Sequence, residues 1–104
     1  MRPVPTLAPL FLLGACGVDP ATSSITSLTA DTSTGQSLYQ ANCQSCHGAD
    51  AASGSAKKPV ATEVKSNTQA AIATILSGDG EMPSFASTLT DQQIADIVGY
   101  IKGL

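Results

Sequence analysis

The chain has 104 residues, of which 42% are hydrophobic and 12% are charged, a size and balance typical of one small domain. Eight acidic residues outnumber five Lys and Arg residues, so the sequence lacks the basic surface that nucleic-acid binding needs. Its longest uncharged apolar stretch, residues 7–15, has about half of the roughly 20 residues that a membrane-spanning helix requires. We therefore predict a single small domain with no nucleic-acid partner and no transmembrane helix.

The first residues have the order of parts found in a bacterial export signal. Arg2 precedes a short apolar run that ends in Leu13, Gly14, Ala15 and Cys16. These four residues resemble the lipobox, in which the chain is cut before a cysteine that becomes lipid-modified. We predict a lipoprotein-type signal peptide over residues 1–15 and lipidation of Cys16, which would anchor the protein to a membrane, facing the periplasm or the cell exterior. The alternatives are ordinary signal cleavage nearby, with Cys16 free or removed, and an undirected disordered tail.

Residues 17–34 are rich in Ser, Thr and Asp and show no apolar periodicity. Such a composition buries too little apolar surface to offset the entropy that is lost on ordering. We therefore predict that residues 16–34 form a lipid-anchored flexible linker. Its stretched reach of about 60 Å would let the domain swing between neighbours. The folded domain is then expected to span residues 35–104.

The most specific motif is the run from Cys43 to His47, which reads C-x-x-C-H and contains the only histidine of the chain. This run is the attachment signature of c-type haem. Two thiols on one helical turn, Cys43 and Cys46, can add to the two vinyl groups of the porphyrin, while the next imidazole can bind iron. The chance of such a match in a chain of this composition is on the order of one in a thousand.

Other chemistries also use this arrangement of cysteines. A thioredoxin-like redox pair follows a strand in a βαβ unit, and the sequence has no strand-like alternation. A Cys/Cys/His zinc site would need a fourth ligand, from a carboxylate or from Cys16. A disulfide with an incidental histidine is the third alternative. Haem attachment explains the whole motif, including its histidine.

A six-coordinate haem iron needs a second axial ligand, and Met82 is the one methionine left after signal cleavage. It lies between a glycine and Pro83, in a loop that glycine bends and proline stiffens. Such a loop can hold a thioether over iron, whereas an ordinary methionine fills a gap in the core. Lys57, Lys58 and Lys65 are weaker candidates because an amine must lose its proton to coordinate.

Apolar periodicity and capping residues predict three helices and no strand. Thr34 is expected to cap a first helix that runs to about Gln44. A second helix is expected over about residues 67–78, where isoleucines and a leucine recur at helical spacing. Residues 90–93 form a capping box, which starts a third helix.

Several of these elements together resemble a small bacterial class I cytochrome c. The resemblance covers about 70 residues and rests on Gly35-x-x-x-Tyr39, C-x-x-C-H-G at 43–48, Met82-Pro83, and a final helix with Ile97 and Tyr100. It implies one covalent haem c, with thioethers at Cys43 and Cys46 and with His47 and Met82 as axial ligands. It also implies that the carbonyl of Pro59 accepts the Nδ1 proton of His47, which leaves Nε2 free for iron.

The resemblance implies an all-α fold of about three helices wrapped around one covalently bound haem. In this family the first and last helices cross where a glycine allows close approach, and Gly35 and Gly99 can supply small contacts here. Only 4% of the residues are aromatic. The haem is therefore expected to fill much of the interior.

Ligation by one His and one Met leaves iron no open position for a substrate, which favours electron transfer over enzymatic catalysis. We predict a monomeric one-electron carrier of an extracytoplasmic respiratory chain, which exchanges electrons with a donor and an acceptor protein. After cleavage the chain has four cations against eight acidic residues, so its partners are expected to be neutral or basic. The alternatives are a haem sensor or peroxidase-like module with a labile Met82 ligand, and a subunit whose haem mainly supports folding.

Overall fold

The computed structural model describes residues 20–56 and 58–104. Six helices occur in these ranges: α1 (Pro20–Thr26), α2 (Thr32–Asn42), α3 (Gln44–His47), α4 (Val60–Ser66), α5 (Thr68–Ser77) and α6 (Asp91–Lys102). The same ranges contain no strand, only an isolated antiparallel bridge between Asp79 and Met82. The predicted all-α fold is confirmed. The predicted signal peptide, Cys16 and Lys57 lie outside the described residues.

The three helices predicted from the sequence are α2, α5 and α6, and their starts follow from side-chain caps. The carboxylate of Asp31 accepts the backbone N–H of Thr34 at 3.1 Å, so Asp31 is the N-cap of α2. The helix therefore begins at Thr32, two residues before Thr34, which was the predicted cap. The side chain of Asn67 caps α5 in the same way. At α6, Thr90 and Gln93 form the predicted capping box. Each cap satisfies N–H groups that have no partner inside the helix.

The three remaining helices, α1, α3 and α4, have only four to seven residues each. A helix of two turns or fewer shows too little of the 3.6-residue period to be predicted from sequence. Packing stabilises them instead, as in α4, where Val64 is buried against the rest of the core.

Residues 16–34 were predicted to form a flexible linker, but Pro20–Thr26 within this range form helix α1 in the structure. Ile25 is 1% exposed and Thr22 is 2% exposed, and α1 packs against α5 and α6. One buried isoleucine is worth about 1.5–3 kcal/mol when it completes an existing core. The linker prediction treated residues 17–34 in isolation and did not include this contact with distant helices.

Among the described helices, α2 and α6 make the most extensive contact, and it follows the expectation for Gly35. A Cβ atom at Gly35 would overlap the backbone carbonyl of Asp96, so only glycine permits this approach. Beside it, the ring of the fully buried Tyr39 lies 5.5 Å from the ring of Tyr100. Gly99, in contrast, faces Ala30, in the segment before α2. The crossing holds the end of α2, where the C-x-x-C-H motif begins.

The apolar face of α6 forms the centre of the core. It carries four buried residues at helical spacing, namely Ile94, Ile97, Val98 and Ile101. Within residues 20–56 and 58–104, no helix is both long and apolar enough to cross a bilayer.

Candidate haem-binding site

A cavity of about 720 Å³ lies between α2, α3, α4, α5 and α6, and its wall is mainly apolar. Cys43, Cys46, His47 and Met82 all line it. The fold thus brings a methionine from a distant loop to the same cavity as the C-x-x-C-H motif. The volume lies within the range of pockets that hold organic cofactors.

The C-x-x-C-H motif is held by backbone hydrogen bonds between near neighbours. The N–H of His47 donates to the carbonyl of Cys43 at 3.0 Å, which closes the short helix α3. Farther along, the N–H of Ala56 donates to the carbonyl of Cys46 at 2.8 Å and the N–H of Gly54 to the carbonyl of His47 at 3.2 Å. The loop over residues 48–56 therefore folds back onto α3 and fixes the orientation of its side chains.

Tyr39 connects this loop to α2. Its hydroxyl donates to the carbonyl of Gly48, the residue after His47, at 2.6 Å. Burial raises the pKa of Tyr39 to about 12, so the hydroxyl stays protonated and able to donate at neutral pH. From the sequence, Tyr39 was singled out as part of the Gly35-x-x-x-Tyr39 resemblance, and this hydrogen bond was not predicted. The signal that the sequence offered was the position of Tyr39, four residues before Cys43 of the C-x-x-C-H motif.

His47 is half-buried, and its Nδ1 is a buried atom with no hydrogen-bond partner among the described residues. Burial, and next the positive charge of Lys58, lowers the pKa of His47, which favours the neutral imidazole. A neutral imidazole is the form that binds a metal.

Pro59 is the N-cap of α4, a helix that was not predicted from the sequence. Its carbonyl accepts the N–H of Glu63 at 2.9 Å and so begins α4. A carbonyl oxygen has two lone pairs, so this bond leaves one for a second donor. The hydrogen bond from His47 Nδ1 to Pro59 stays a prediction.

Met82 lies on a tight turn after α5. Asp79 and Met82 exchange two backbone hydrogen bonds, of 3.0 and 2.9 Å. Gly78 precedes this turn with a φ of 81°, a left-handed conformation that favours glycine. The N–H of Phe85 then donates to the carbonyl of Ile75 at 2.9 Å, which ties the turn back to α5. Met82 is half-buried and lines the cavity.

The two cysteines of the motif differ in exposure, and neither is in a disulfide. Cys43 is half-buried, and burial raises the pKa of its thiol to about 11. Cys46 is exposed. In both cases the sulfur is free to form a thioether with a group in the cavity.

Charged side chains are sparse in the cavity wall. Among the described residues, Lys58 is the only cation that lines it. The acidic residues in the wall are Glu63, Asp79 and Glu81. Lys58 Nζ lies 3.6 Å from Asp79 Oδ2, so an ion pair joins the segment after the motif to the turn that bears Met82. Lys65 does not line the cavity.

These residues fit a haem c. The cavity presents two free thiols, an imidazole and a thioether. This donor set matches covalent attachment together with axial ligation by His and Met. The apolar wall suits a porphyrin.

Comparison with known proteins gives the same result from sequence alone. Residues 30–101 match the family described as "Cytochrome C oxidase, cbb3-type, subunit III". The chain belongs to the cytochrome c family. It is a small class I c-type cytochrome with one covalent haem c, and it acts as an electron carrier.

Curated relatives include several proteins named cytochrome c6. The protein from Nostoc sp. is 32% identical over 99 residues, covering 90% of this chain and 88% of the relative. The protein from Leptolyngbya boryana is 30% identical over 77 residues, covering 69% of this chain and 91% of the relative. The protein from Parathermosynechococcus lividus is 34% identical over 77 residues, covering 69% and 88%. No solved structure shows significant similarity to the chain.

Proposed function

We propose that the chain carries single electrons between partner proteins outside the cytoplasm, with haem attached at Cys43 and Cys46 and ligated by His47 and Met82. The observation that supports this assignment most directly is that all four side chains line one cavity, although Met82 is distant in sequence. The haem, when bound, supplies an iron that gains or loses one electron without forming a bond to a substrate.

The chain's own residues then have separate roles. Cys43 and Cys46 hold the cofactor, and the hydrogen bonds of α3 orient His47 with its imidazole neutral. The turn formed by Asp79 and Met82 holds the thioether in the cavity. A thioether favours ferrous iron more than a second imidazole does, so Met82 should raise the reduction potential.

An electron carrier exchanges electrons with partner proteins, and the charge of this chain indicates what kind. Three acidic side chains and Lys58 line the cavity wall, so its described edge is net negative. The processed chain is acidic overall, with four cations against eight acidic residues. We propose neutral or basic docking surfaces on the partners. Charge attraction of this kind weakens when salt shortens the Debye length below about 8 Å.

The proposal also includes export and a lipid anchor on Cys16. It is supported by the short apolar run of residues 7–15 and by the Leu-Gly-Ala-Cys sequence that ends it. Mass spectrometry of the protein extracted from membranes should show an N-terminal Cys16 carrying diacylglycerol. Cys16→Ser should release the protein into the soluble fraction with its haem unchanged. An unmodified Cys16 in an otherwise mature chain would refute the anchor.

The electron-transfer proposal is tested with the purified haem-loaded protein. A potentiometric titration should be reversible and fit one electron, and the reduced protein should resist carbon monoxide, because Met82 occupies the sixth position. Electron transfer to a basic partner should slow as salt rises. Rapid carbon monoxide binding by the unmodified protein would refute the ligand set and indicate a sensor instead.

A further inference from the structure

Residues 20–31, before α2, are integrated into the domain. Ile25 and Thr22 of α1 are almost completely buried, and α1 packs on α5 and α6. Leu28, just after α1, is 38% exposed. One face of the segment is therefore in the core, and the other is in solvent.

Gln92 and Asp96 of α6 hold the end of this segment, at Thr29 and Asp31, by hydrogen bonds. Gln92 Nε2 donates to the carbonyl of Thr29 at 2.9 Å and to Oδ1 of Asp96 at 2.8 Å. The same oxygen of Asp96 accepts the N–H of Asp31 at 2.8 Å. Asp96 is 3% exposed, and breaking hydrogen bonds to a buried carboxylate is costly. We call residues 20–31, held in this way, the N-terminal clasp.

The N-terminal clasp is almost entirely separate from the family domain and from the cavity. The family match begins at residue 30, so α1 precedes it. No described residue of the clasp lines the haem-binding cavity. The clasp contains one charged residue, Asp31, and no Lys or Arg. It therefore offers no electrostatic attraction to anionic headgroups.

We propose that the N-terminal clasp fixes the place where the domain meets the lipid surface, on the side of α5 and α6 and apart from the cavity. This inference rests on the proposed lipidation of Cys16. Only residues 17–19 separate Cys16 from α1, and the four Cα steps between them span at most about 14 Å.

A docked clasp changes how the carrier works. A chain free from residue 17 to residue 34 would reach about 60 Å, and the domain would then travel between partners. With the clasp docked, the domain stays beside the bilayer and the cavity remains open to partners that are held in, or diffuse along, the same membrane. Attachment depends on the acyl chains and not on anionic lipid.

The test uses full-length, lipidated, haem-loaded protein in liposomes of neutral lipid with a fluorescent headgroup, because haem quenches the fluorophore at short range. One variant carries twelve Gly and Ser residues inserted between Asp19 and Pro20, and another is Ile25→Asp, which opens the clasp. Leu28→Asp, in the exposed part of the clasp, is the matched control. We expect strong quenching for the unmodified protein and the control, and several-fold weaker quenching for the other two.

Equal quenching by the unmodified protein and the insertion variant would overturn the inference. The insertion leaves the folded residues unchanged, so it remains informative if Ile25→Asp impairs folding. Anionic lipid should not strengthen the quenching, and a strong increase on adding it would contradict attachment through the acyl chains alone.

Hydrogen exchange on haem-loaded Cys16→Ser protein tests the docking without the anchor. The amides of Leu28 and Asp31 should exchange about 100-fold more slowly in the parent than in Ile25→Asp. Fast exchange in the parent would overturn the inference while leaving the lipid anchor intact. Slow exchange, together with mass spectrometry that finds no lipid on Cys16 of the unmodified protein, would instead refute the anchor and the membrane position with it.

Discussion

The two sides of the proposed haem-binding cavity are built in different ways. On the first side, Cys43, Cys46 and His47 follow α2 directly and are held by hydrogen bonds between residues that are close in sequence. On the second side, Met82 lies on a turn whose position depends on α5 and on the packing of α5 against its neighbours. The first side therefore depends mainly on local sequence, and the second mainly on tertiary structure.

This difference predicts that the two sides fail separately. Loss of the first side should remove the cofactor, and the fold with it. Loss of the second should leave the cofactor in place and change only its ligation.

Removing both thiols should have the largest effect. Cys43→Ala combined with Cys46→Ala leaves no sulfur for a thioether, so haem staining after denaturing electrophoresis should be absent. The exported variant should also be largely unfolded by circular dichroism, because so small a domain buries too little surface without its cofactor. Ser45→Ala, between the two cysteines and exposed, should retain full staining. Covalent haem in the double variant would refute the attachment site.

Met82→Ala should keep the haem and lose the sixth ligand. The near-infrared sulfur-to-iron band of the oxidised protein should disappear, and the reduced protein should bind carbon monoxide. The reduction potential should fall by a fraction of the about 0.8 V range that axial ligands control. Glu81→Ala changes the adjacent residue of the same turn and should keep the band. An unchanged spectrum in Met82→Ala would assign the ligand elsewhere, and Lys58 is the cation that lines the cavity.

The same contrast explains what the sequence alone could predict. The first side was predictable because C-x-x-C-H is a local motif whose spacing sets its geometry. Met82 could be proposed by elimination, as the one methionine besides Met1. The caps at Asn67 and Thr90 were also predictable, because a cap acts over three residues.

The features that could not be predicted depend on contacts between distant segments. Ile25 alone does not produce an amphipathic period, and only the packing of α1 on α5 and α6 makes it a core residue. The carbonyl of Pro59 begins α4, a short helix that shows too little periodicity to be predicted from sequence. Gly35 is an intermediate case, because the family resemblance predicted a close crossing that the structure then shows.

Tyr39→Phe should weaken the first side without removing it. The substitution removes one hydrogen bond to the carbonyl of Gly48 and should lower the free energy of unfolding by about 0.5–1.5 kcal/mol. Tyr100→Phe, which changes the other ring of the pair, is the control and should have a smaller effect. Chemical denaturation at neutral pH measures both. A loss of the sulfur-to-iron band in Tyr39→Phe would show that the two sides are coupled.

The pH dependence of stability provides a second measurement on Tyr39. Burial raises its pKa to about 12 from an unfolded value of 10.0, so the folded protein holds the proton more tightly. The resulting stabilisation is fully present below pH 10 and is lost as the pH rises through about 12. Tyr39→Phe should lack this component of the alkaline loss. Parallel stability curves for the two proteins between pH 10 and 12 would contradict the raised pKa.

The smallest effect is expected for the ion pair that joins the two sides. Lys58 and Asp79 are 55% and 63% exposed and 3.6 Å apart, a geometry worth about 0–1 kcal/mol in water and less in high salt. A double-mutant cycle of Lys58→Gln and Asp79→Asn, measured by chemical denaturation in low and high salt, should give a coupling below about 0.5 kcal/mol that salt abolishes. Lys65→Gln removes a cation that does not line the cavity and is the control for net charge. A coupling above about 1 kcal/mol that persists in high salt would mean that this pair locks the turn of Met82 to the segment after His47, and the two sides would then no longer fail separately.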